Sequence, residues 1–394
     1  MKFFRYVTMS LLTVAFSASA DSFPIRPMDR NLAAQSVKVL WGRPASAIEA
    51  ADLDGDGFTD IAAMSVSSNE PTADIDLFIA WGSAKTPWTK VTQFPMGHFL
   101  RVYSATRDTS SRVIAIGDWD GNGLPDVLTS RGVLMNQGKR KFTMVAMATP
   151  TSDILLPVAL AKFAGPRPSL VRGRVDGRIE ICETPTKCQV LTATGIETYY
   201  VKDMVVADFD RDGKPDILAG LRHDDHMNSY LWLSSNRWIK PSVIANMGPV
   251  DYQVGDVNKD GLLDIVAQRT ESISDFPSYT DLWLGDGRGN FAVGQTIYNH
   301  DNHNDAAYLA DYNKDGCLDY LQIGVDIPSV GLRLGNCRYL GDHDPTRPSD
   351  AGWQQVPATG GIGVQCLDLN RNGSCDLIVR SVGGYEVGLT VILR

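Results

Sequence analysis

Six nine-residue segments of this chain share one pattern, D-x-[DN]-x-[DN]-G-x-x-D, and they begin at Asp52, Asp118, Asp208, Asp256, Asp311 and Asp368. Self-similarity at a spacing of tens of residues marks a repeat architecture, and it constrains the fold more than composition does. Each segment carries Gly at its sixth position: Gly57, Gly123, Gly213, Gly261, Gly316 and Gly373. Alternate side chains of a curling loop converge on one point, and a sixth-position Gly tolerates the positive φ of a tight turn. The result is a cage of hard oxygens, which is what Ca²⁺ takes, six to eight of them at about 2.3 to 2.6 Å.

The expected ligands are Asp52, Asp54, Asp56 and Asp60 with the carbonyl of Phe58, and Asp118, Asp120, Asn122 and Asp126 with that of Leu124. The third and fourth sets are Asp208, Asp210, Asp212 and Asp216 with Lys214, and Asp256, Asn258, Asp260 and Asp264 with Leu262. Asp311, Asn313, Asp315 and Asp319 with Cys317, then Asp368, Asn370, Asn372 and Asp376 with Ser374, complete them. Up to six calcium ions are expected. Because ligand charge tunes affinity, the four-carboxylate loops 52–60 and 208–216 should bind tightest, and loop 368–376, with two, should empty first.

An EF-hand shares the opening of this pattern but needs a bidentate Glu at position 12 between two helices. Here position 12 is Ala63, Thr129, Ala219, Ala267, Gln322 or Val379, and the flanks are short β-type runs. Each loop therefore joins two antiparallel strands. Most loop starts lie 48 to 66 residues apart, but 90 residues separate 118 from 208. Residues 159–172 align with 206–218 if one residue is deleted, which puts Lys162 at the first ligand position and Ser169 at the last. One repeat has kept its strands and lost the acidic set. Seven repeats of about four strands specify an all-β, seven-bladed β-propeller with calcium loops between the first two strands of six blades. The final repeat stops at Arg394 one strand short, and the run at 37–41 can supply it and remove a free edge. Small residues precede five loops (Ala51, Gly117, Ala207, Gly255, Ala310), which suits the crowded axis.

These motifs resemble the FG-GAP and VCBS repeat families, best known from the calcium-bearing propeller of integrin α-subunits, across residues 36 to 394. The resemblance implies calcium loops on the lower face and ligand recognition on the opposite one. It carries over no ligand-contacting residue and does not imply integrin-type adhesion.

Two connections expected on that opposite face hold His223 and His226, and His300 and His303. These histidines could converge on a second metal, or supply a base for polysaccharide lyase chemistry with Tyr199, Tyr200 or Tyr252; polar loops also simply contain His, Asp and Asn. Zinc would require three or four ligands in tetrahedral array. Trp41, Trp81, Trp232 and Trp283 sit inside strand patterns and read as inter-blade packing. Six cysteines allow fifteen pairings; local grouping favours 182 with 188, 317 with 337, and 366 with 375.

The N-terminus reads as an export signal over residues 1–20: Lys2 and Arg5, an apolar run from Val7 to Phe16, and the triplet Ala18-Ser19-Ala20. Residues 21–394 are then one propeller, exported to the periplasm or beyond. No run approaches the roughly 20 apolar residues of a spanning helix. The net charge of -9 resides in the loops, which hold 19 of the 46 acids; the rest of the surface argues for neither nucleic-acid avoidance nor a cationic partner, and no nucleic-acid partner is expected. Two functions are consistent with this reading: a monomeric binding module for a glycan or protein ligand, or a polysaccharide lyase with a His/Tyr site away from the loops.

Overall fold

A computed structural model describes residues 36–43, 45–66, 72–85, 87–100, 112–147, 156–163, 166–191, 200–223, 226–248, 250–270, 278–299, 304–324, 330–341, 354–356, 363–380 and 388–394. Among these, the chain forms 28 strands and no α-helix, with one 3-10 turn at Ser234–Asn236. The expected signal segment, Tyr199, His300 and His303 lie outside the described residues.

The strands make seven antiparallel four-stranded sheets. After Ser36–Leu40 (β1), blade 1 runs through Ala45–Ala51 (β2), Asp60–Val66 (β3), Thr72–Trp81 (β4) and Lys90–Leu100 (β5). Blade 2 comprises Ala115–Gly117 (β6), Asp126–Leu128 (β7), Gly132–Asn136 (β8) and Phe142–Ala146 (β9). Blade 3 comprises Val158–Ala161 (β10), Ser169–Gly173 (β11), Ile179–Thr184 (β12) and Lys187–Leu191 (β13). Blade 4 holds Tyr200–Ala207 (β14), Asp216–His223 (β15), His226–Trp232 (β16) and Ser242–Ile244 (β17); blade 5 holds Val250–Gly255 (β18), Asp264–Thr270 (β19), Ser278–Gly285 (β20) and Phe291–Asn299 (β21). Blade 6 follows with Asn304–Ala310 (β22), Asp319–Gly324 (β23), Val330–Arg333 (β24) and Gln354–Val356 (β25). Blade 7 is Gly363–Leu367 (β26), Asp376–Arg380 (β27) and Gly388–Ile392 (β28), and its fourth strand is β1, with Val37 opposite Val391 and Val39 opposite Leu389.

In all six acidic repeats the ninth-position Asp is the first residue of the blade's second strand, and in blade 3 that place is taken by Ser169. The fold is a seven-bladed β-propeller. First strands of successive blades adjoin, and Gln365 in β26 donates to the carbonyl of Ile48 in β2 at 2.9 Å where the last blade meets the first.

The core is divided into seven apolar clusters, each filling the wedge between two consecutive blades. Blades 7 and 1, for example, share Val39, Leu389 and Val391 with Ile48, Ile61 and Ala80. No blade is stable by itself in such a ring, since each buries its faces only against its neighbours. The tryptophans do the packing assigned to them. Trp41 stacks on Phe78 at 5.2 Å, Trp81 packs with Phe142 of blade 2, Trp232 lies among blade 3 residues, and Trp283 among those of blade 4. The three disulfides 182–188, 317–337 and 366–375 form as grouped, and none of the six cysteines is free.

Candidate metal centres

The six loops share most of one hydrogen-bond plan, visible in loop 52–60; where the fourth residue is not Gly, the first Asp accepts the fifth-position N–H in place of the fourth, as from Asp212, Asp260, Asp315 and Asn372. The first-position Asp52 accepts the N–H groups of Gly55 (2.8 Å) and Gly57 (2.9 Å). The Asp56 N–H goes to Asp54 Oδ1 (3.0 Å) and the Phe58 N–H to Asp56 Oδ1 (2.9 Å). These side-chain-to-backbone turns draw alternate carboxylates inward. The sixth-position glycines all hold positive φ, between 75° and 90°. So do the fourth positions, where the sequence pattern required nothing: Gly55 and Gly121, but also Arg211, Lys259, Lys314 and Arg371, with φ from 59° to 63°.

The ninth-position Asp has a second task that the pattern did not show. In each loop it is 0% exposed. One oxygen accepts the N–H of the second loop residue, from Leu53 (2.8 Å), Trp119 (3.0 Å), Phe209 (2.8 Å), Val257 (2.9 Å), Tyr312 (2.7 Å) and Leu369 (2.8 Å) in turn. The other accepts an N–H just past or at the end of the third strand, from Gly82, Asn136, Ser234, Gly285, Gly335 or Arg394, at 2.6 to 3.0 Å. The carboxylate thus clasps the loop to the blade's third strand. The second loop residue is apolar in all six repeats, and five of the six are buried in an inter-blade cluster, Tyr312 being partly buried. A D-Φ-[DN] opening was the available sequence signal for that anchor.

Side-chain oxygens of Asp52, Asp54 and Asp60 lie within 4.8 Å of one another, as do those of Asp118, Asp120 and Asp126, and of Asp208, Asp210 and Asp216. Burial pushes the carboxyl of Asp60 up to about 8, and those of Asp126, Asp216, Asp264 and Asp376 up to about 6, against the hydrogen bonds that favour the charged forms. Asp52, Asp56 and Asp319 are raised by burial as well. Like charges crowded in a partly dry loop favour neutralisation by a proton or a cation. The donors are hard oxygens throughout, so the residues present fit a divalent metal of the calcium type. In the loops opened by Asp256 and Asp311 the third-position amide donates to the fifth-position carboxylate, Asn258 to Asp260 at 2.9 Å and Asn313 to Asp315 at 2.8 Å.

Of the histidine and tyrosine set, His223, His226, Tyr200 and Tyr252 fall among the described residues. His223 and His226 face each other across the β15–β16 hairpin, and nothing further is described of their side chains. Tyr200 opens β14 and is partly buried. Tyr252 corrects the sequence reading. It is 0% exposed, packs in the blade 4–blade 5 wedge, and its hydroxyl sits 2.6 Å from Ser229 Oγ. Its hydroxyl is held above the usual phenol range, chiefly by burial. Tyr252 shares that wedge with Val254, two residues on, so strand alternation places it on the packed face.

First strands carry a different polar group around the axis. Arg112, ahead of β6, reaches Asp203 of β14 (2.6 Å), the carbonyl of Tyr252 and Asp251 of β18 (3.7 Å), and so ties blade 2 to blades 4 and 5. Glu49 of β2, raised by burial to about 7, and Tyr308 of β22, raised to about 12, both lie within Arg112's electrostatic reach. Among the described residues no helix is long and apolar enough to cross a membrane.

The FG-GAP-like repeat model matches residues 52–129, 208–267 and 256–321. No curated protein matches the chain. Two solved structures are similar to it at low identity. One, described as BBS1N in complex with ARL6DN and soaked with lead, shares 12% identity at a TM-score of 0.49 and covers 92% of this chain and 96% of its own. The other is the Dos1 propeller, at 9% identity and a TM-score of 0.49, covering 94% and 96%. Five of the six acidic loops fall inside the matched residues, each joining the first two strands of a blade, and the chain belongs to the FG-GAP-like repeat family.

Proposed function

We propose that this protein is an exported, calcium-stabilised propeller that acts as a non-enzymatic binding module for a glycan or protein ligand. Residues 1–20 serve as the export signal, residues 21–394 form the single propeller, and the mature chain works as a monomer in the periplasm or outside the cell. The observation that carries the metal reading is the ninth-position carboxylate, buried in all six loops, with its charge disfavoured wherever a large shift is resolved. Up to six calcium ions would be held by side chains at positions 1, 3, 5 and 9 with the carbonyl at position 7. Bound calcium would neutralise each cluster and lock the clasp between loop and third strand. Three disulfides suit an oxidising compartment.

Metal at the loops leaves the connections on the other face for recognition, and a rigid closed ring is a suitable frame for it. Fold does not choose the ligand. The lyase alternative gains no support, because Tyr252 is enclosed and bonded to Ser229. A glycan and protein array probed with the mature chain, in calcium and in chelator, tests the proposal, with unsaturated sugar products scored in parallel. Calcium-dependent capture without product is the expected result. Release of unsaturated products would overturn the non-enzymatic reading, and capture undiminished by chelator would sever binding from the metal.

A further inference from the structure

Loops 52–60 and 208–216 carry the same four carboxylates at the same positions, yet their surroundings differ. In loop 208–216, neutral hydroxyls meet the outer oxygens: Ser235 donates to Asp210 Oδ2 and Ser234 to Asp212 Oδ2, both at 2.6 Å. In loop 52–60 the corresponding partner is a guanidinium from the neighbouring blade. Arg140 Nε lies 2.5 Å from Asp54 Oδ2, and Arg140 Nη2 is 3.6 Å from Asp56 Oδ2. The other Asp54 oxygen already accepts the Asp56 N–H. Both oxygens of the third-position ligand are therefore engaged, one of them by a full positive charge.

Arg140 is placed there by more than chance contact. It closes the β8–β9 hairpin, where Gly138, Lys139 and Arg140 hold three successive positive φ angles of 78°, 53° and 62°. Two consecutive non-glycine residues in that region store strain, which persists only where the surroundings impose it. Asn136, 0% exposed, supplies that restraint. Its amide donates to the carbonyl of Leu53 inside loop 52–60 (2.7 Å) and its N–H to Asp126 (2.8 Å), while its own Oδ1 receives the Gly138 N–H (2.9 Å). The Trp81 ring then lies under the guanidinium at 4.6 Å. The hairpin is fastened to the loop at Asn136, and its tip delivers the charge.

We infer that Arg140 is a resident counter-cation of loop 52–60, which lowers the calcium affinity of that loop below that of loop 208–216 despite equal carboxylate count. A cation this close to a carboxylate ligand offsets the charge that attracts the metal, and calcium must draw Asp54 Oδ2 away from the guanidinium. The same contact shields the carboxylates from one another before metal arrives, so this loop keeps its shape without calcium better than loop 208–216 does. The inference rests on the calcium reading above.

The test is calorimetric titration of calcium into the full mature chain and its Arg140→Asn variant, Asn being a residue that tolerates positive φ. Removing a half-exposed charge beside a divalent site should tighten one class of site by about tenfold and leave the others unchanged. Asp54→Asn in the Arg140→Asn background should abolish the tightened site, and Arg140→Lys, which keeps the charge, should bind as the parent does. Identical titrations of the folded parent and Arg140→Asn proteins would overturn the inference while leaving the calcium reading in place. Absence of calcium binding in either protein would overturn both. Melting in chelator gives an independent check: Arg140→Asn should melt lower without metal, and an unchanged melting temperature would contradict the shielding role.

Discussion

Replacing Asp216 with Ala separates the clasp from the metal site. The Asp216 carboxylate accepts two buried main-chain N–H groups, from Phe209 at 2.8 Å and Ser234 at 2.7 Å. A buried donor left without a partner costs about 1 to 3 kcal/mol, so two give roughly 2 to 6 kcal/mol. Part of that is returned, since burial already disfavours the Asp216 charge at neutral pH, and the net loss expected is about 2 to 4 kcal/mol. Urea denaturation in excess chelator is the assay, because with no metal bound only the clasp is at stake. The midpoint should fall with little change in slope. Asp210→Asn is the control: its carboxylate takes only exposed donors, the Ser235 hydroxyl at 2.6 Å and the Asp212 N–H at 3.2 Å, and in chelator the variant should lose no more than about 0.5 kcal/mol. If Asp216→Ala were as mild as Asp210→Asn under those conditions, the ninth position would be a ligand alone and the clasp argument would fail.

Further outcomes follow from the charges. The raised carboxyls of Asp60, Asp126, Asp216, Asp264 and Asp376 mean that the metal-free folded chain binds more protons than the unfolded chain between about pH 4 and 8. Its stability should therefore fall as pH rises through that window, and scanning calorimetry in chelator should give a lower melting temperature at pH 8 than at pH 5.5; saturating calcium should flatten or reverse the trend. At the axis, Arg112→Met strands Asp203 and Asp251 without their guanidinium, and removing one partner of a largely buried ion pair should cost about 3 kcal/mol in urea denaturation. A loss below about 0.5 kcal/mol would mean that the cross-axis tie is incidental.

Much of the ring was legible because its signals are local. The acidic repeats located six blades, the Lys162 and Ser169 alignment located the seventh, and β11 begins at Ser169 as the alignment requires. The apolar run after the expected signal became β1, paired with β28. What escaped the sequence depends on distant partners. The ninth-position clasp joins each loop to an N–H of the same blade 10 to 22 residues onward, and Arg112 meets Asp203 across 91 residues of chain. Tyr252 resembled a site residue, but its place depends on the neighbouring blade against which it packs and on Ser229 of that blade. The fourth-position turn gave no compositional warning, since Arg and Lys stand there in four loops despite the positive φ. Carboxylate number alone ranked loop 52–60 with loop 208–216; Arg140, 86 residues from Asp54, is what distinguishes them.

The central claim, that the acidic loops are calcium sites which hold the ring together, is tested most directly by the melting temperature of the mature chain in calcium and in excess chelator, with bound calcium counted by elemental analysis. At a hundredfold excess over its dissociation constant each loaded site adds about 2.7 kcal/mol. Several occupied loops should therefore raise the transition by well over about 10 °C, with up to six ions per chain. A transition that does not move on chelation, in a chain that carries no calcium, would contradict the account.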